Sequence, residues 1–359
     1  MDIASVVACG KAYSMVLSSE GDIWTWGTNS YGQLGLNNTE QYANPQKIDL
    51  PNKFTSIHCG MGHSIALDES GKLWAWGWNK FLQLGISEGA FRFMKPQLVN
   101  LPSPCSHIVS VSCNLYSSLV LDDKGNLFSL GINETSSVAI TLLSSKKKFP
   151  KFIKVCCGER HYVGLDVKGQ VWSCGKNVSG ALGLGTINEI QAPKKVPISK
   201  KIVHIESGAN HVLSIDEDAS VWVWGKNNMG QLGIEHLENI VTPEKVHNIP
   251  PIIFAATKTD RSYFIDEGNN LWMCGLIQRD KPENQVHNVP VIVPGIPQVQ
   301  FVGVGLSHTI AVDLNGDLWS WGTNGSGELG REDDQILNTI PVPFRVNSFR
   351  SATIKSARK

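Results

Sequence analysis

Cys59-Gly-Met-Gly-His-Ser-Ile-Ala-Leu-Asp-Glu-Ser-Gly-Lys-Leu-Trp-Ala-Trp-Gly77 is the clearest copy of a unit that recurs seven times along this chain of 359 residues. It alternates like two strands joined by a hairpin. Ser64-Ile-Ala-Leu67 and Leu73-Trp-Ala-Trp76 set apolar side chains at alternate positions, and Asp68-Glu-Ser-Gly71 supplies the turn. A landmark glycine ends each copy, at 27, 77, 131, 175, 225, 275 and 322, a period of 44 to 54 residues. One structural unit per period is the simplest solution.

Working outward, another apolar strand precedes each hairpin, as in Phe54-Thr-Ser-Ile57, Phe152-Ile-Lys-Val155 and Ile202-Val-His-Ile205. A Pro-x-x-Val or Ile segment follows it, starting at Pro45, Pro96, Pro193 and Pro243. Proline cannot donate to a ladder, so this segment suits an edge strand. Four strands per repeat make one blade, and the pattern predicts an all-β fold, a seven-bladed β-propeller of four-stranded antiparallel blades. Residues 340–346 form a Pro-x-x-Val segment with no hairpin after it, and the chain starts just before the strand-like Ala4-Ser-Val-Val7. The expectation is a ring closed by one blade shared between the N- and C-termini, removing free edges.

Repeat positions assign most of the conspicuous residues to the framework. Gly21, Gly71, Gly125, Gly169 and Gly316 fill one turn position, where positive φ favours glycine or asparagine. Asn269 suits it too, whereas Ala219 predicts a reshaped turn. All 11 tryptophans are read as inter-blade core. Asn29, Asn79, Asn133, Asn177, Asn227 and Asn324, each two after the landmark glycine, should hydrogen-bond their own turns. Gly-Gln-Leu-Gly at 32–35 and 230–233, with Gly-Glu-Leu-Gly at 327–330, should plug a leucine between blades. His63, His161, His211 and His308 share one position and read as loop-bracing groups rather than catalysts.

Composition narrows the function classes. Lys+Arg and Asp+Glu both number 32, so no net field draws the chain to nucleic acid or membrane. No stretch is long and apolar enough to span a bilayer, and residues 1–10 lack the pattern of a signal peptide. A cytoplasmic or nuclear location is expected, or the host cytosol for a bacterial effector, with the chain a monomer. Cys9, Cys59, Cys113 and Cys157 occupy one repeat position and so lie on different blades, too far apart for disulfides. Reduced, buried thiols are expected. No phosphate loop, His-Glu-x-x-His pair or nucleophile elbow occurs, and neither cofactor nor metal is implied. Residues 1–346 are assigned to the propeller and 347–359 to a basic tail. Arg350, Lys355, Arg358 and Lys359 of that tail would give weak contact with an anionic surface.

The pattern Gly-x-x-His…Leu-x-x-x-Gly-x-x-Trp-x-Trp-Gly-x-Asn-x-x-Gly-Gln-Leu-Gly, nearly whole at 60–85, 208–233 and 305–330, resembles the regulator of chromosome condensation family. The family's prototype is the nucleotide exchange factor for the small GTPase Ran. The resemblance covers residues 3 to about 346 and implies two functions, which stay open together. One is guanine nucleotide exchange on Ran or a related GTPase, without covalent catalysis. The other is a noncatalytic interaction scaffold.

The same resemblance directs attention to where the repeat breaks. After the third copy, residues 132–150 replace the Gly-Gln-Leu-Gly and Pro-x-x-Val segments, at the place where the exchange factor carries a β-wedge. Ser136, Ser137, Val138, Ala139 and Ile140 would then contact the GTPase, and Lys146, Lys147 and Lys148 would steer its approach. An eroded blade with a solvated lysine turn is the alternative. The exchange factor also uses acidic residues in the loops before the third and fourth repeat histidine positions. Here Leu115 and Arg160 stand there, beside Tyr116 and Glu159, and all four are candidate partner-binding loop residues.

Overall fold

The first strand of each repeat turns back through a three- or four-residue loop into the hairpin, and this short connection dictates the pairing. In the computed structural model, which describes residues 6–86, 90–131, 140–145, 149–278, 285–331 and 339–346, 28 strands form seven antiparallel sheets of four. The blades span residues 7–47, 54–99, 108–142, 152–195, 202–245, 252–292 and 299–345. First strands of neighbouring blades lie side by side at the centre, and fourth strands form the rim. Pro45, Pro96, Pro193 and Pro243 all sit in fourth strands, as an edge position allows.

Closure differs from the sequence expectation. Val7–Cys9 pairs with Tyr13–Leu17 of its own blade, and Thr339–Arg345 pairs with Leu318–Thr323. Each described blade is therefore one contiguous stretch, and no blade is shared between the termini. The reason is local. The Gly10–Ala12 loop is too short to let the first strand join any other sheet, and the segment at 339–345 folds back directly on the strand before it. The ring closes by packing, with Val7, Val16 and Trp26 against Phe301, Ile310 and Val312 in one buried cluster. Across this seam Trp26 Nε1 donates to the Glu328 carbonyl at 2.9 Å, and Cys9 Sγ donates to the Gly303 carbonyl at 3.4 Å.

The junctions interlock in one direction round the ring. Leu34, Leu182, Leu232 and Leu329 are fully buried, and each follows a carbonyl that the next blade grips. Gln33 O accepts Trp76 Nε1 and Ser64 Oγ, both at 2.8 Å. Ala181 O accepts Trp224 Nε1 at 3.0 Å, and Gln231 O accepts Ser262 Oγ at 2.6 Å. The repeat asparagine shapes this loop as expected at five positions, Asn133 lying outside the described residues. Asn29 Oδ1 accepts the Leu34 N–H, and Asn79, Asn177, Asn227 and Asn324 do the same for Leu84, Leu182, Leu232 and Leu329.

Two features went unforeseen. In blades 2 to 7 an aspartate three before the turn position clips the hairpin, where blade 1 has Ser18: Asp68 Oδ1 accepts the Ser70 and Lys72 N–H groups while Oδ2 accepts Trp74 Nε1 at 2.9 Å. Asp166, Asp216, Asp266 and Asp313 hold Trp172, Trp222, Trp272 and Trp319 in the same way. The turn at Ala219 is also not reshaped. Its φ is 60°, its N–H reaches Asp216 O at 3.0 Å, and Gly169 makes the same bond to Asp166 O at 3.0 Å. The aspartate clip fixes the turn, and Ala219 accepts the left-handed conformation that its neighbours fill with glycine.

Candidate functional site: the loop face

The loops between first and second strands gather on one face of the ring and are tied to one another. Lys11 N donates to Met61 O at 3.2 Å, Glu159 N to Ala209 O at 2.8 Å, and Leu306 N to Gly10 O at 3.2 Å. Beneath them the repeat histidines brace neighbouring blades. His63 Nε2 lies 2.9 Å from Ser118 Oγ, His161 Nε2 3.1 Å from Ser207 Oγ, and His308 Nε2 2.9 Å from Ser14 Oγ. His211 Nε2 meets Thr257 Oγ1 at 2.6 Å. Burial lowers His63, His211 and His308 to about 3 and His161 to about 4, so the imidazoles are neutral. They are framework groups. Among the described residues no three His, Cys, Asp or Glu side chains group as a metal site requires.

The divergent sixth loop does something no other copy does. Lys258 sends its ammonium across the ring centre to the Cys59 carbonyl at 3.2 Å. Asp260 pairs with Lys226 at 3.0 Å, and Arg261 Nε donates to Leu276 O at 2.8 Å. The thiols around this centre are suppressed as nucleophiles. Burial raises Cys9 to about 12 and Cys157 to about 11, and none of the eight cysteines, all among the described residues, forms a disulfide.

The candidate partner residues fall out unevenly. Tyr116 is exposed, with Leu115 half-buried beside it, and Asn114 Oδ1 accepts the Tyr116 and Ser117 N–H groups. Glu159 accepts Asn210 Nδ2 at 3.1 Å, and Arg160 stands exposed next to it. Ile140 opens the three-residue outer strand of blade 3, half-buried, paired with Leu130 and packed by the Gly85 loop. Ser136, Ser137, Val138, Ala139 and Lys146–148 lie outside the described residues, as does the tail 347–359.

A surface the sequence reading missed lies beside Tyr116. Trp78 is not inter-blade core. It stacks on Tyr31 at a centroid separation of 5.1 Å and meets Phe81 and Tyr116 edge-on at 5.2 and 5.9 Å, with Phe81 and Tyr116 5.3 Å apart. Tyr31 and Tyr116 are 37% and 40% exposed, so the cluster faces solvent. Register gave the one available signal. Trp78 follows the landmark glycine, where other copies carry Thr28, Lys176, Lys226 and Thr323.

Comparison with known proteins agrees with this architecture. Models of the regulator of chromosome condensation (RCC1) repeat match residues 20–67, 70–121, 168–215, 218–256 and 315–358. The human RCC1-like G exchanging factor-like protein is 30% identical over 118 residues, 29% of this chain and 25% of that protein. The human E3 ubiquitin-protein ligase HERC2 is 29% identical over 200 residues, 53% of this chain and 4% of the ligase. The chain thus spans a quarter or less of the length of either relative. Prp20p from Saccharomyces cerevisiae, studied with its binding to Gsp1p and histones, superposes with a TM-score of 0.79 at 22% identity, covering 93% of this chain and 87% of Prp20p. The repeat models cover well over half of the sequence: the chain belongs to the regulator of chromosome condensation (RCC1) repeat family.

Proposed function

We propose that this propeller binds a small GTPase, Ran or a relative of it, through its loop face and accelerates guanine nucleotide release. The observation that carries this reading is the exposed aromatic cluster of Tyr31, Trp78, Phe81 and Tyr116 on that face. Exposed, mutually packed Trp and Tyr side chains are the usual anchors of protein interfaces. Prp20p, which binds Gsp1p, shares the fold. Exchange needs no covalent step: a protein that binds the nucleotide-free GTPase more tightly than the loaded one weakens nucleotide by the same factor. Residues 136–139 and Lys146–148 belong to this reading as wedge and steering charges. Replacing 136–139 by a Gly-Ser linker should abolish exchange at an unchanged melting temperature, and neutralising the lysines should slow association and flatten its salt dependence.

A second reading, a scaffold without exchange activity, draws on Leu115 and Arg160. An exposed guanidinium where the exchange factor carries an acid reverses the complementarity to a basic GTPase surface. One assay separates the two: fluorescent-nucleotide release from a panel of Ran, Rab, Rho and Arf GTPases. Exchange on one member, weakened roughly tenfold or more by Trp78→Ala or Tyr116→Ala, supports the first. Binding without acceleration on any member supports the scaffold.

A further inference from the structure

Blade 6 breaks the interlock that fastens each described junction before it and the seam after it. After the landmark Gly275 the chain reads Leu276-Ile277-Gln278, so Ile277 replaces the asparagine that elsewhere accepts the leucine N–H. Without that acceptor the segment does not dive between blades. It continues outward as Leu271–Gln278 and returns as Gln285–Ile292, an extended hairpin. The connecting residues Arg279-Asp-Lys-Pro-Glu-Asn284 contain no leucine or other aliphatic plug.

The consequence is a cavity of about 320 Å³ between blades 6 and 7, lined by Tyr263, Met273, Ile277, Val291, Trp321 and Pro343 among others. Its wall retains the receiving chemistry of the other junctions. At those junctions a tryptophan N–H or a Ser hydroxyl from the next blade, or both, grip the carbonyl before the leucine. Here Trp321 Nε1 and Thr309 Oγ1 turn instead to the phenol oxygen of Tyr263, each at 3.2 Å.

We propose that this cleft is a docking site for a leucine-bearing, glycine-flanked turn of a partner polypeptide, which completes in trans the interlock that blade 6 leaves out. The occupant follows from the chain's own junctions. Four of them seat a leucine between two glycines, and the fifth keeps the second glycine, Gly85, with Leu82 in place of the first. In the first junction a Cβ on Gly32 would come within 2.7 Å of Met94 Cα and one on Gly35 within 2.9 Å of Trp76 Nε1. The cleft falls within the usual size range of ligand pockets, about 300–1,000 Å³, and is largely apolar with a few polar groups. The inference is independent of the exchange reading and requires no GTPase.

The probe is the chain's own turn as a free peptide, Asn29-Ser-Tyr-Gly-Gln-Leu-Gly35, titrated into the full-length protein carrying ¹³C-methyl methionine and ¹⁵N-indole tryptophan. Saturable movement of the Met273 methyl and the Trp321 indole N–H is expected. Changing the peptide leucine to alanine should weaken binding roughly tenfold or more, the effect of removing a buried leucine. Changing the second glycine, which all five of these junctions keep, to alanine should abolish it. Ile277→Trp should block the site, and Ile292→Trp, at a lining position 53% exposed, does so with little risk to folding. The proposal is overturned by three results: no movement at the solubility limit of the peptide, movement that survives both tryptophan substitutions, or movement with cyclohexane but not with peptide. The last would make the cleft a small-molecule cavity.

Discussion

Ala219→Gly should stabilise this protein, although it removes a side chain and adds no contact. Ala219 holds φ at 60° in a turn whose geometry matches the glycine turns of other blades. Its carbonyl accepts the Ile252 N–H at 2.9 Å, as Gly169 O accepts Ile202 N at 2.9 Å, so the turn cannot relax without loosening the next blade. Left-handed backbone costs a Cβ-bearing residue about 1–2 kcal/mol. Glycine relieves that strain but enlarges the unfolded ensemble, at a cost of about 0.4–1 kcal/mol. The net gain is about 0.5–1 kcal/mol. At about 2 cal/mol/K of unfolding entropy per residue, a chain of 359 residues converts this to a rise of roughly 1 °C or less, so the midpoint of urea unfolding is the better readout. Gly169→Ala is the mirror experiment. Its Cβ would enter at φ 75°, 2.4 Å from Lys201 Cγ and 2.9 Å from Ile202 O, and should destabilise by about 1–2 kcal/mol or more. If Ala219→Gly lowers the urea midpoint, the turn carries no strain and the argument fails.

Three further outcomes can be checked with standard methods. Cys9, Cys59 and Cys157, buried and with raised thiol pKa values, should label with a maleimide only on unfolding; fast native labelling of all three would contradict their placement. Stability should fall as pH drops below about 6.5, because burial lowers His63, His211 and His308 to about 3 and His161 to about 4, and the unfolded chain takes up the protons first. For Asp68 and Asp122 burial opposes the charge, but hydrogen bonds from the turn outweigh it and lower the pKa, so their contribution is complete above the ordinary value of 3.8 and is lost below it. A urea midpoint that is flat from pH 7 to 5 would remove the neutral-histidine bracing. Trp26→Phe, which deletes the seam bond to Glu328 O, should cost about 1–3 kcal/mol by leaving a buried carbonyl short of one donor, measured by urea unfolding.

The fold was legible because each repeat states the same local solution. Gly71, Trp76, Asn79 and Leu84 recur at fixed offsets, and each spacing corresponds to one turn, wedge or plug in the structure. Pairing between distant ends was less legible. Strand-like residues at 4–7 and 340–346 fit a shared blade by pattern alone, and the short loop at Gly10–Ala12 and the fold-back at 339–345 decide against it. Ala219 misled because an unfavourable residue suggests a changed turn, whereas the clip at Asp216 and the Ile252 bond hold it. At the candidate site, Tyr116 could be found as a break in the Gly-x-x-His loop. Its neighbours Tyr31, Trp78 and Phe81 are brought to it by ring curvature, which no local pattern encodes.

The directional interlock has a mechanical consequence. Six of the seven junctions carry a peptide link as well as side-chain contacts, whereas blades 7 and 1 are held together by noncovalent contacts alone, such as Trp26 to Glu328 and His308 to Ser14. The ring is thus a linear ladder of sheets bent until its two ends adhere. Force applied between the termini would load this one joint first and peel blade 7 from blade 1, after which each newly exposed blade becomes an end. A circular permutant that links residues 346 and 6 through a short spacer and is opened in the 146–148 connection would move that weak joint to blades 3 and 4 and leave every blade intact.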